Sequence, residues 1–207
     1  GGAAGGAARP CAGGWRVKRA LFACFMAMAG AASAQDIRPQ EQARLDGFAR
    51  TAGTALMDAL AGGSAEDVSA LSVALSGVPQ VAFDPSLNGD WNCRTMKLGG
   101  VTRLTVYTAF KCRMALDNTG VTFEKLSGSQ RTSGRIEMRD GRAVYLGVGY
   151  VAGEAPQAYG DLAPDFTGSG TVTPDVAVFE RVSETRARLL FPAPVNESDF
   201  DILELTR

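Results

Sequence analysis

The chain has 207 residues, with 21 basic and 22 acidic side chains and no histidine. A near-neutral chain without a basic tract is a poor candidate for binding nucleic acid, and none is expected as a partner. The lack of histidine excludes Ser-His-Asp and Cys-His catalysis and the common histidine metal sites.

Residues 1–34 read as a leader and are set apart from fold reasoning. Arg16, Lys18 and Arg19 precede an apolar run, Ala20–Ala32, and Ala32-Ser33-Ala34 supplies a small-x-small cleavage site before Gln35. The run is too short to span a bilayer, which needs roughly 20 apolar residues. Residues 1–15 are low-complexity Gly/Ala sequence, and Val17 is a candidate start residue. Cys24 has too few apolar residues before it, and Phe22 is too poor a fit, for a lipid-attachment site. Without Arg9, Arg16, Lys18 and Arg19 the remaining chain keeps 17 basic and 22 acidic residues, a net −5. Only Cys93 and Cys112 then remain, and in an oxidising compartment they are expected to pair. The expected location is periplasmic or secreted, after cleavage at Ala34-Gln35, as a monomer without a membrane span.

Residues 35–85 are expected to form a helical hairpin and a connector, and residues 86–207 a β-barrel domain. Pro39 suits the first turn of a helix over 38–61, and Leu45, Phe48, Ala49, Ala52, Leu56, Ala59 and Leu60 make one apolar stripe. Gly62-Gly63 ends it. Ser64 then caps a second helix that carries Val68, Leu71 and Leu75 and stops at Gly77. Prolines 79 and 85 keep the connector extended.

Strands follow: Trp91–Leu98, a run through Leu104–Leu116, Val121–Leu126, Gln130–Met138, Arg142–Ala152, Asp175–Val182, Arg186–Phe191 and Phe200–Arg207. In the second strand Leu104, Val106, Phe110, Cys112, Met114 and Leu116 share one face by period-two alternation. If Cys93 pairs with Cys112, then Cys93 and Trp91 are interior as well. Asp117-Asn118-Thr119-Gly120 and Asp140-Gly141 are turn signals. Eight strands with short turns and no crossover helix predict an antiparallel up-and-down barrel, a two-sheet sandwich being the alternative. Closure would bring Arg207 near Trp91, within reach of a cation–π contact.

Gly89-Asp90-Trp91 resembles the Gly-x-Trp opening of the calycin superfamily (lipocalins and avidins). That resemblance implies that Trp91 plugs the barrel floor under a basic residue, Arg207. The small periplasmic metalloprotease inhibitors are similar in barrel and single disulfide. More specifically, Gly89–Gly100, Lys125–Arg135 and Glu197–Leu205 resemble stretches of a family of exported bacterial proteins built on a domain of unknown function. That resemblance covers most of 38–207 and implies an envelope protein of Gram-negative, mainly alphaproteobacterial, cells, with no established activity.

Chemistry-bearing residues are few. Gly147-Val148-Gly149 has the wrong spacing for a dinucleotide loop and is expected to ease strand bending or close approach. Asp161 with Asp165, and Asp199 with Asp201, are candidate carboxylate pairs for glycosidase-like or calcium chemistry. The stretch Ser127–Arg135 is unusually polar. Gln130, Arg131, Ser133 and Arg135 are candidate ligand-binding residues, arginine suiting carboxylate and phosphate. Tyr159, in the long loop 153–174, is a further candidate if that loop is a lid. The reading is of a non-enzymatic exported binding protein that needs no cofactor. Its expected partner is a small ligand or another exported protein, as an inhibitor would have. A carboxylate-dependent envelope hydrolase is the alternative.

Overall fold

The structure, a computed structural model, describes residues 1–3, 35–80 and 83–207. The leader-like stretch and its cleavage site lie outside the described residues. Ser33–Arg207 form one compact unit.

Three helices precede the sheet: α1 (Pro39–Asp46), α2 (Phe48–Gly62) and α3 (Ala65–Leu75). The single helix expected over 38–61 is divided at Gly47. The backbone there turns at φ −77°, ψ −4°, and the Gly47 N–H still reaches Ala43 O at 3.0 Å. Glycine is a weak helix former, and the segment bends where it occurs. Ser64 caps α3 as its sequence suggests, its hydroxyl accepting from Asp67 N at 3.1 Å.

Eight strands follow a 3₁₀ turn at Pro85–Leu87: β1 (Gly89–Leu98), β2 (Leu104–Asp117), β3 (Gly120–Lys125), β4 (Gln130–Arg139), β5 (Arg142–Val151), β6 (Val172–Arg181), β7 (Arg186–Pro192) and β8 (Phe200–Thr206). Each pairs antiparallel with the next, and β1 pairs with β8, which closes the barrel. β6 begins earlier than expected. Val172, Thr173 and Pro174 pair with Tyr150, Gly149 and Val148 of β5, whereas pairing with β7 starts only at Val178. Pro174 is tolerated because its other side carries no ladder at that point.

Two cores result. One fills the lumen with Trp91, the Cys93–Cys112 disulfide, Met114, Phe123, Ile136, Tyr145, Phe179, Leu189 and Leu205. The other lies outside the wall, where Leu45, Ala55, Ala59, Leu71 and Ala74 of the helices cover Met96, Leu98, Val144, Leu146, Val176, Leu190, Phe200 and Ile202. The exterior of β5, β6 and β8 is therefore apolar rather than polar.

A register shift between Arg94 and Met96 places an extra residue in β2. It divides the single apolar face expected for β2. Leu104 and Val106 turn outward to the helices, while Phe110, Cys112, Met114 and Leu116 belong to the lumen core.

Two arginines tie the layers together. Arg188 donates to Ala74 O at 2.9 Å and Ser76 O at 3.2 Å, satisfying carbonyls at the end of α3. Arg44 of α1 donates to Pro174 O and Pro192 O.

The far end of the lumen is sealed. The Arg207 guanidinium lies 4.2 Å over the Trp91 ring and donates to Leu87 O at 3.1 Å, and Trp91 Nε1 donates to the same carbonyl at 3.0 Å. Asp84 and Arg181 form an ion pair beneath. Arg207→Ala removes the cation–π contact and charged hydrogen bonds, and is expected to lower stability by about 1–3 kcal/mol in urea unfolding. An unchanged midpoint would show that this end holds without it. The disulfide spans 19 residues. The Cys93→Ala/Cys112→Ala variant should lose about 3 kcal/mol by the same measurement, and a loss under 1 kcal/mol would count against the cross-link as a main stabiliser.

Candidate functional site

Alternation decides what each strand sends inward. Starting from Trp91 and Cys93, the inward series on β1 continues to Thr95 and Lys97. On β3 it runs Val121, Phe123, Lys125; on β6 Thr173, Asp175, Ala177, Phe179; on β8 Asp201, Leu203, Leu205. The lumen is thus apolar at the Trp91 end and polar at the opposite end. There a cavity of about 140 Å³ opens, lined by Thr95, Lys97, Lys125, Thr132, Asp175 and Asp201 over a floor of Phe191 and Leu203.

Two glycines make the room. A Cβ on Gly147 would stand 2.2 Å from the Tyr145 hydroxyl, and one on Gly149 would stand 2.4 Å from Thr173 Oγ1 and 2.9 Å from Asp175. In the space they leave, Tyr145 and Thr132 hydroxyls meet at 2.7 Å and Thr132 donates to Asp175 Oδ2 at 2.7 Å. Thr173 donates to Asp175 Oδ1 at 3.2 Å. Burial raises the Tyr145 pKa well above its ordinary value, so the phenol stays a neutral donor.

The charges divide by side. Lys97 and Lys125, 8% and 6% exposed, stand on β1 and β3. Asp175 and Asp201 stand on β6 and β8. Lys97 pairs with Glu197 at 2.6 Å. Lys125 donates to Gln130 O and lies 4.1 Å from the Phe110 ring centroid. Among the described residues neither Lys125, Asp175 nor Asp201 has an ion-pair partner within 4 Å.

Their protonation reflects this. Burial, then Lys97 and Arg131 nearby, lowers Lys125 from 10.5 to about 8. Burial raises Asp201 from 3.8 to about 6 against the Ser198 hydroxyl, which donates to it at 2.6 Å. Asp175 is raised by burial too. Each group is driven toward its neutral form because its partners do not offset the loss of water.

The residues singled out by sequence fall in two places. Gln130 and Arg131 line the mouth cavity. Ser133 and Arg135 face outward on β4 and, with Tyr159, line a separate groove of about 310 Å³. Arg135 is engaged there by Asp117 at 2.8 and 3.0 Å, and it holds the Asp117 carboxyl well below the usual range.

Tyr159 is buried, donates to Glu41 at 2.8 Å and accepts from Arg38 N at 3.1 Å. The segment around it is fixed beside α1 on the outer wall, not over the mouth. From loop 153–174 only Gly170, Thr171 and Thr173 reach the cavity. Asp161 and Asp165 face solvent. Asp199 bonds the β1–β2 turn at Gly100 N (3.1 Å), away from Asp201. The facing carboxylates in the lumen are Asp175 and Asp201, a pairing across strands that sequence adjacency does not suggest.

The fold and site define an eight-stranded up-and-down β-barrel with a helix-covered wall and a charged, glycine-spaced mouth. The chain belongs to the DUF4893 family, a domain of unknown function, whose model it matches over residues 34–205. No curated protein and no solved structure matches it. Among the described residues no helix is long and apolar enough to cross a membrane.

The site makes a signed pH prediction. The folded state holds the Asp201 proton up to about pH 6, the unfolded chain only to about 3.8. The ionised group therefore costs stability above about pH 6, and none below 3.8. Asp201→Asn should gain on wild type as pH rises from 4 to 6, by about 3 kcal/mol at pH 7 relative to the difference below pH 4. Lys125 behaves oppositely: its cost is present below about pH 8 and vanishes above 10.5. Lys125→Met should therefore lead wild type at pH 7 and lose that lead by pH 10.5. Denaturant unfolding across pH checks both, and flat differences would show that neither group is destabilised by burial.

Proposed function

We propose that this is a non-catalytic binding protein of an oxidising, exported compartment that takes a small polar ligand in the barrel mouth. The observation that carries the reading is the set of buried and half-buried charges around the cavity. Lys125, Asp175 and Asp201 have only hydroxyl, carbonyl or aromatic partners among the described residues. Such groups cost stability in the folded chain, and a ligand that meets them would recover it.

The size of the lumen supports the same reading. Eight strands enclose just enough space for side chains or one small ligand, and Gly149, in the cavity lining, adds no side chain to this part of it. Export is supported by the Cys93–Cys112 disulfide and by the basic-then-apolar pattern of residues 16–34. Gram-negative envelope origin rests on family resemblance.

Thr95 lines the cavity and is not part of its charge network. Thr95→Phe should fill the mouth and leave the hydrogen bonds of Lys97, Lys125, Asp175 and Asp201 in place. Native mass spectrometry of protein purified from producing cells, with thermal-shift screening of small acids, amines, amino acids and sugars, tests the proposal. At least one compound should stay bound or raise the wild-type melting temperature, by roughly 3 °C or more at saturation, and Thr95→Phe should abolish the effect. If no compound acts on the wild type, or the variant responds equally, the mouth is not the binding site.

A further inference from the structure

The connection between β7 and β8 places one more carboxylate at the mouth. Glu197 accepts from Lys97 Nζ at 2.6 Å through one oxygen and from Gln130 Nε2 at 3.2 Å through the other. Its side chain is about half exposed (49%), and its backbone is left-handed at φ 70°. Ala193, at the start of the same connection, is left-handed at φ 45°. Two non-glycine residues in this region mark a loop held in place rather than relaxed.

Glu197 therefore satisfies a buried lysine from a half-solvated side chain. The two atoms it bonds, an ammonium and an amide N–H₂, describe a subsite that any carboxylate of similar reach would satisfy. Lys125 stands in the same cavity wall and Arg131 at its rim.

On β8 and β6 the polarity reverses. Asp201 is the register partner of Lys97 in the β1–β8 ladder, yet no ion pair joins them within 4 Å; Lys97 bonds Glu197, and Asp201 bonds Ser198. Asp175 takes two hydroxyl donors. These carboxylates make a cation-accepting wall, and Phe191 and Leu203 give a short apolar floor between it and the lysines. A volume of about 140 Å³ holds roughly five water-sized groups.

We infer that the chamber binds a small zwitterion, its carboxylate replacing Glu197 on Lys97 and Gln130 and its ammonium group lying between Asp175 and Asp201. This rests on the barrel-mouth reading and adds ligand class and orientation to it. Glu197 acts as a built-in competitor that keeps Lys97 paired until the ligand arrives. The ligand carboxylate then releases Glu197 toward solvent, where its charge is stabilised by water.

Isothermal titration of the protein with glycine, β-alanine, 4-aminobutyrate and 5-aminovalerate, and with butyrate and butylamine as single-charge controls, tests the inference. One zwitterion of the series should bind at least about tenfold more tightly than either control. Glu197→Gln should tighten it about tenfold by weakening the competitor. Asp201→Asn should erase the preference over butyrate. The inference is overturned if butyrate or butylamine binds as well as the best zwitterion, or if Glu197→Gln leaves that affinity unchanged. If none of the six binds while a neutral sugar does, and Thr95→Phe blocks the sugar, the inference falls and the barrel-mouth reading stands. If nothing binds at all, both fall.

Discussion

The pairing of β1 with β8 is the contact on which the rest of the molecule depends. It runs from Asn92↔Thr206 to Leu98↔Phe200 and joins segments more than a hundred residues apart, so it carries a large loop-closure cost. Closure removes the two exposed edges that an open eight-strand sheet would present. It also assembles three features along one seam. At one end Arg207 comes over Trp91. In mid-wall, on the outside, Arg94 pairs with Glu204 at 2.7 Å. At the other end Lys97 stands opposite Asp201. The seal and the charged mouth are two ends of the same ladder, and a slip of one residue would turn both outward.

The helices explain why that ladder can carry charge on its inner side. β5, β6 and β8 lie between two apolar layers, the lumen core on one side and the helix-covered core on the other. Arg44 and Arg188 fasten the outer layer by spanning from one element to backbone carbonyls of the other. Asp175 and Asp201 therefore have no route to bulk water through the wall. Their only approach to solvent or to a partner is the mouth, and this is why their surroundings raise their pKa while the more open Asp117 is lowered by Arg135.

Much of this was legible in the sequence, and the limits have physical causes. Eight strand-like runs with short turns sufficed for the barrel, and the two cysteines for its cross-link. Parity also places the mouth residues. If Trp91 and Cys93 face inward, so do Thr95 and Lys97; if Arg207 does, so does Asp201. A charged residue in a strand ordinarily marks the exterior, and Lys97, Lys125, Asp175 and Asp201 depart from that pattern because the lumen is open at the mouth. In the polar run Ser127–Arg135, alternation sends Ser133 and Arg135 outward and Thr132 inward, while Arg131 reaches the cavity from its rim. The β2 irregularity lies near Tyr107-Thr108, where no glycine or proline signals a bulge. The break at Gly47 had its signal, but the apolar stripe continues through it.

The arrangement of the lumen is best understood as a division of labour imposed by size. An eight-strand barrel can be filled by side chains throughout, and the Trp91 end is filled in that way. Toward the mouth, Gly147 gives its space to the Tyr145 ring and Gly149 to Thr173 and Asp175, and four ionisable groups stand around the cavity that remains. Filling that space with apolar residues would yield a more stable barrel, since well-packed apolar replacements of buried charge are often neutral or stabilising. The disulfide, the Arg207 seal and the helix layer provide stability elsewhere, so the mouth can remain polar without unfolding the chain. A polar chamber maintained against the packing preference of its own scaffold is the arrangement expected of a binding site, in which the unmatched charges become favourable only with a ligand between them.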